Sequence, residues 1–99
     1  MPTRNVLLEA LLQTDSTPLA NKTINFYYRV SGTTQWTSAG SANTGSDGKA
    51  SVTVSLTVPQ TYDFRAEFPG DTDYDASYAE QLNVKVKAKT TLTLTVTPQ

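Results

Sequence analysis

The chain has 99 residues, a formal net charge of -1, and neither cysteine nor histidine. The length suits one domain, and the interspersed charges offer no field of one sign to draw nucleic acid or an anionic membrane. The missing side chains exclude a disulfide, a thiol nucleophile, a Cys-ligated metal and a histidine general base.

Hydrophobic residues make up only 37%, yet they gather in short, regularly spaced runs, which suits a thin two-layer core. No stretch has the run of about 18 apolar residues that a membrane helix needs, so direct insertion into a bilayer is not expected. Met1-Pro2-Thr3-Arg4 lacks the regions of a secretory signal, which places any export signal of a parent protein elsewhere.

In chain order, Val6 to Leu12 is the first element. Its leucines also fit helical spacing, but every later segment reads as β, so a strand with Val6, Leu8, Ala10 and Leu12 inward is expected. Thr14 to Pro18 reads as a turn. Ile24, Phe26 and Tyr28 alternate with polar or amphipathic neighbours in a second strand, and Thr34 to Ala39, around Trp36, makes a shorter one. The Gly45-Ser46-Asp47-Gly48 turn precedes Ala50, Val52, Val54 and Leu56, which alternate with Ser and Thr. Tyr62, Phe64, Ala66 and Phe68 alternate with Asp63, Arg65 and Glu67, and Pro69-Gly70 suits a type II turn. Leu82, Val84 and Val86 form the next run. Thr91 to Val96, with Leu92, Leu94 and Val96 between threonines, closes the series.

The expected core is Leu8, Leu12, Ile24, Phe26, Tyr28, Val52, Val54, Phe64, Ala66, Phe68, Leu82, Val84 and Leu94. Asp63, Arg65 and Glu67 then face outward with Lys85 and Lys87 and suit cross-strand charge pairing.

Two constellations could carry binding chemistry. Asp71, Asp73 and Asp75 alternate, and carboxylates so spaced can supply oxygen ligands to Ca2+. An EF-hand loop counted from Asp71 would want Gly where Ala76 stands and Glu where Leu82 stands, which leaves only a looser loop site or a set of solvated acids. Tyr27, Arg29 and Trp36 share an outer face if Arg29 lies opposite Trp36, and would then form an aromatic and cationic platform for a glycan or protein ligand. A shift of one residue would send the indole into the core instead. Asn21-Lys22-Thr23 also matches the N-glycosylation acceptor triplet, a pattern that chance produces often. No catalytic residue is assigned, and the expectation is a chain that is not an enzyme.

The order of these motifs resembles the Ig-like repeat domains of bacterial and archaeal cell-surface proteins. The matching stretches are Pro18 to Phe26, Thr34 to Thr37 with its Trp, Thr44 to Ala50, and Tyr62 to Asp71 with Tyr74 and Ser77 after it. Gln60 stands where that family usually has Gly, and Phe68 where it often has Tyr. The resemblance implies an all-β, antiparallel, two-sheet Ig-like β-sandwich of about seven strands with Greek-key connections. It implies an extracellular or cell-surface structural spacer, with neighbouring domains of the same chain as partners, or alternatively an adhesion module.

Residues 1–99 are then one Ig-like domain. Within it, 90–98 is either the first strand of a following repeat, since such segments commonly open a unit, or a strand completing this domain. In the second case Thr91 to Val96 folds back or adds to another molecule's sheet as a strand-exchange oligomer.

Overall fold

The structure, a computed structural model, describes residues 2–98. Among them the chain forms eight strands and no helix: β1 (Thr3–Leu11), β2 (Gln13–Thr14), β3 (Thr17–Pro18), β4 (Thr23–Val30), β5 (Thr37–Asn43), β6 (Lys49–Thr57), β7 (Gln60–Phe68) and β8 (Ser77–Val86). All pairing is antiparallel. β1 and β6 form a two-stranded ribbon, β2 and β3 a short hairpin, and the remaining strands a four-stranded sheet in the order β5-β4-β7-β8.

The period of two in the sequence becomes a division of faces. In the ribbon, Val6 lies opposite Val54, Leu8 opposite Val52 and Ala10 opposite Ala50, so one face is lined by apolar cross-strand pairs. Leu7 and Leu11, on the other face, are exposed. β1 is therefore a strand with the expected inward residues, and its helical spacing has no structural counterpart.

The inner face of β4 supplies Ile24 and Phe26, 3% and 2% exposed, which gather with Leu12, Leu19, Ala50 and Phe68 into one core cluster. A second cluster lies toward the other end and contains Leu56, Val58, Tyr62 and Val86. Tyr28 packs edge-on against Tyr62 there, with ring centroids 6.2 Å apart. The buried Tyr62 phenol donates to the Thr57 carbonyl at 2.6 Å, which satisfies its hydroxyl, and burial, with Tyr28 beside it, raises its pKa.

Turn chemistry fixes the connections. Asp15 and Ser16, both at positive φ, make the two-residue loop of the β2–β3 hairpin, as a type I′ turn requires. Gly48 has φ +79, and a Cβ there would lie 2.6 Å from the Leu12 carbonyl oxygen, which accepts a backbone hydrogen bond from Leu19. Only glycine lets that strand start approach so closely.

Four expectations are corrected. Thr91–Val96 forms no strand, and Leu94 is 85% exposed, because an extended segment needs a ladder partner and none of the chain lies along it. Leu82 is 50% exposed: an irregularity in the β7–β8 register sets Tyr62 against Val84 but Phe64 against Gln81, so β8 carries an extra residue and changes phase. Asp63 faces that irregularity and is buried at 4% exposure. Finally, the strand expected at Thr34 to Ala39 lies at Thr37–Asn43, with Trp36 just before it. Its Ser, Ala and Gly residues carry little strand propensity, but β4 offers a complete ladder edge for them to pair with.

Phe26→Ala should therefore destabilise the protein by about 3–5 kcal/mol, whereas Leu82→Ala should change stability by no more than about 0.5 kcal/mol. Denaturant unfolding of the two variants checks both the core assignment and the phase of β8.

Candidate functional site

The outer face of the four-stranded sheet holds the densest set of polar contacts. Residue Tyr27 lies opposite Ser38, and Tyr28 opposite Thr37, so continuing that register sets Arg29 beside Trp36. The Arg29 guanidinium stacks over the Trp36 ring at 4.1 Å from its centroid. The indole is half-buried beneath it and stays out of both core clusters. Tyr27, Arg29 and Trp36 thus occupy one face, in the register that the platform needs.

Asp63 organises this face. One of its carboxylate oxygens accepts from Arg29 Nε at 2.8 Å, and the other accepts from Ser31 Oγ at 2.6 Å and from the Asn83 backbone N–H at 2.9 Å. Asn83 has φ 59 and lies in the phase change of β8. The hydrogen bond from Ser31, then those from Asn83 and Arg29, hold the Asp63 carboxyl at about 2, well below its ordinary 3.8. The expected partners Lys85 and Lys87 make no ion pair with it; Arg29 does.

Two further residues belong to the face: Arg65, expected to face outward and pair with charges, and Tyr78, which went unrecognised in the sequence. Arg65, opposite Tyr27 in the ladder, bonds Glu67 Oε1 at 3.1 Å and Glu80 Oε2 at 2.5 Å and stacks 4.0 Å from the Tyr78 ring centroid. The bond to Glu80, more than that to Glu67, raises the Arg65 pKa further. Arg65 shares the parity of an outward position, a usable signal. Tyr78 gave none, because it precedes the apolar run from Leu82 and reaches Arg65 only through the β7–β8 register.

The acidic loop is built differently. Asp71 Oδ1 accepts from the Asp73 and Tyr74 backbone N–H groups, both at 2.9 Å, and Oδ2 accepts from Lys22 Nζ at 2.7 Å. Lys22 also lies 5.1 Å from the centroid of the Tyr74 ring. The Lys22 bond is the main reason the Asp71 pKa is lowered and the Lys22 pKa raised. Asp71 therefore closes a turn and docks it on Lys22, while Asp73 and Asp75 are exposed. Among the described residues no three Asp, Glu, His or Cys side chains gather closely enough to hold a metal ion.

A mostly apolar groove of about 570 Å³ lies between β1 and β8, with Phe26, Phe64 and Val84 among its lining residues and Arg65 and Glu80 also reaching it. Asn21 is exposed at φ 60, and its N–H donates to the Thr44 carbonyl. Comparisons with family models, curated proteins and solved structures return no match to this chain.

The Asp63 network makes stability depend on acid. Because the folded pKa lies below the unfolded value, Asp63's contribution is complete above about pH 4 and shrinks as pH falls from about 4 toward 2. Asp63→Asn should lose that part of the pH dependence. Thermal unfolding of both proteins across this interval measures it.

Proposed function

We propose that the chain is a non-catalytic, immunoglobulin-like β-sandwich module with Greek-key connections that serves as a structural spacer in an extracellular or cell-surface protein. Its partners in that role are neighbouring domains of the same chain. The ribbon β1–β6 forms one layer and the sheet β5-β4-β7-β8 the other, with Phe26 and its neighbours between them.

The observation that carries the reading is how the charged groups of the outer face are used. Arg29 is bound to Asp63, and Arg65 to Glu67 and Glu80. These cations and carboxylates satisfy one another, as suits a self-contained surface, and leave neither guanidinium free for an anionic ligand. The likeness to surface-protein repeats, carried by Pro18 to Phe26, Thr44 to Ala50 and Tyr62 to Asp71, supplies the location and the spacer role.

A binding role is the second reading, and it too has an observation in its favour. Two stacked cation–aromatic pairs, Arg29 on Trp36 and Arg65 on Tyr78, lie on one face, and Tyr78 is 64% exposed. Glycan and protein ligands stack on surfaces of that kind. The protein's single tryptophan makes the two readings separable. As a spacer, it should show unchanged Trp36 fluorescence through titrations with a panel of oligosaccharides; a saturable change would move the assignment to adhesion.

A further inference from the structure

We infer that Thr91–Val96 of one copy of this chain adds to the free edge of β1 in a second copy, antiparallel to it, and fills the groove between β1 and β8. β1 is paired only with β6, and β8 only with β7, so each presents an unpaired ladder edge. The groove lies at these edges: Val6, Leu8 and Ala10 line it from β1, Ala79 and Val84 from β8, and Phe64 from β7. It is mostly apolar, with Glu9, Arg65, Glu80 and Gln81 among its lining, and is bordered by unpaired strand edges, which is what an added strand requires.

The occupant is identified by its pattern. Leu92, Leu94 and Val96 are 97%, 85% and 77% exposed, and they alternate with Thr91, Thr93 and Thr95. An extended segment of this kind presents all three apolar side chains to one side and its threonines to the other. Docked on β1, it would seat those three against the apolar lining and leave the threonines outside. The segment projects from the body, giving the chain a long dimension of 72 Å and a radius of gyration of 17.8 Å, against roughly 13 Å for a compact domain of this length.

Reach and polarity decide between the chain's own β1 and another copy's. The Arg4 guanidinium donates to the Lys87 carbonyl at 3.2 Å, so the segment leaves the body beside the start of β1. Starting there it could lie along its own β1 only in parallel, the less stable pairing and one that no ladder of this structure uses; to run antiparallel to its own β1 it would have to begin at the far end, near Leu11. That is a distance of about 30 Å for the nine residues of β1, and Lys87–Thr90 spans at most roughly 14 Å. A reversal onto its own β8 would need a tight turn, and Lys87-Ala88-Lys89-Thr90 contains no Gly, Pro, Asn or Asp to form one. A second copy placed with its Leu11 end against this exit receives the segment directly. Each copy donates one segment and offers one β1 edge, so the exchange closes as a reciprocal dimer or continues from copy to copy. It depends only on edges, reach and side-chain pattern, and is independent of the spacer role.

The test is sedimentation of the full 99-residue chain over a wide range of concentration, beside the variant Leu92→Asp/Leu94→Asp. The parent chain should associate as concentration rises, and the variant should associate at least about tenfold more weakly. The dilute variant should keep the parent's unfolding midpoint, since these side chains are exposed in the single copy. Hydrogen exchange should show protection of 91–96 and of β1 appearing with association. A chain that stays monomeric at every concentration overturns the proposal, and a monomer whose 91–96 amides are protected assigns the segment to its own body instead. Association that the double substitution leaves unchanged also overturns it.

Discussion

The four-stranded sheet depends on one buried carboxylate. Asp63 joins β4 through Arg29, the β4–β5 connection through Ser31, and β8 through the Asn83 N–H. A charge at 4% exposure is tolerated only when its oxygens are bonded, and here each oxygen has at least one partner. The consequences extend beyond the network. Because Asn83 turns its N–H toward Asp63 at φ 59, β8 takes up an extra residue opposite Asp63, and the faces of its two halves exchange. Leu82 is thereby turned to solvent, while Ala79, Gln81 and Val84 line the groove beside β1. The same carboxylate holds Arg29 where it covers Trp36.

Packing must do the rest, since the chain has no disulfide. The two clusters, around Phe26 and around Val58 and Tyr62, divide the core along its length, and the turns at Gly48 and Gly70 both lie at the Phe26 end. Margins in a domain of this size are about 5–15 kcal/mol, so one truncated aromatic in the first cluster is a large fraction of the whole. No buried side-chain polar atom among the described residues lacks a partner. Thr44, 2% exposed, is an instance: its hydroxyl accepts from the Lys22 N–H and its own N–H donates to the Lys22 carbonyl.

The surfaces of the body differ in chemistry. The outer face of β4, β7 and β8 holds its charges in internal pairs, with the aromatics stacked under guanidinium groups. The β1–β8 groove is mostly apolar, with Arg65 and Glu80 at its wall, and is bordered by open ladder edges. A module with one closed polar face and one open apolar seam is suited to being joined through the seam and exposed at the face. The acidic loop takes part in neither, because Asp71 is committed to its own turn and to Lys22.

Alternation along Ile24 to Tyr28, Ala50 to Leu56 and Tyr62 to Phe68, together with turn residues at Gly45–Gly48 and Pro69-Gly70, was enough to place the strands that form the core, because side-chain period and φ preference are local properties. The shared outer face of Tyr27, Arg29 and Trp36 was legible for the same reason, as one of two registers. Residues without a local signal were not: Leu19 and Val58 are buried by connections that fold over the core, and β5 exists because β4 lends its edge to a Ser- and Gly-rich stretch. Leu82 and Tyr78 were misplaced or missed because a single inserted residue reverses every face beyond it, and no local pattern announces the insertion; Asp63 keeps its outward parity but is buried beneath Arg29, Ser31 and the Asn83 N–H. By itself, then, the sequence determined that this protein is a chain of antiparallel strands without thiol or imidazole chemistry. Which faces those strands show, and that Thr91–Val96 finds no partner within its own chain, only the tertiary structure decided, because both depend on what lies across a ladder and not on what lies next along the chain.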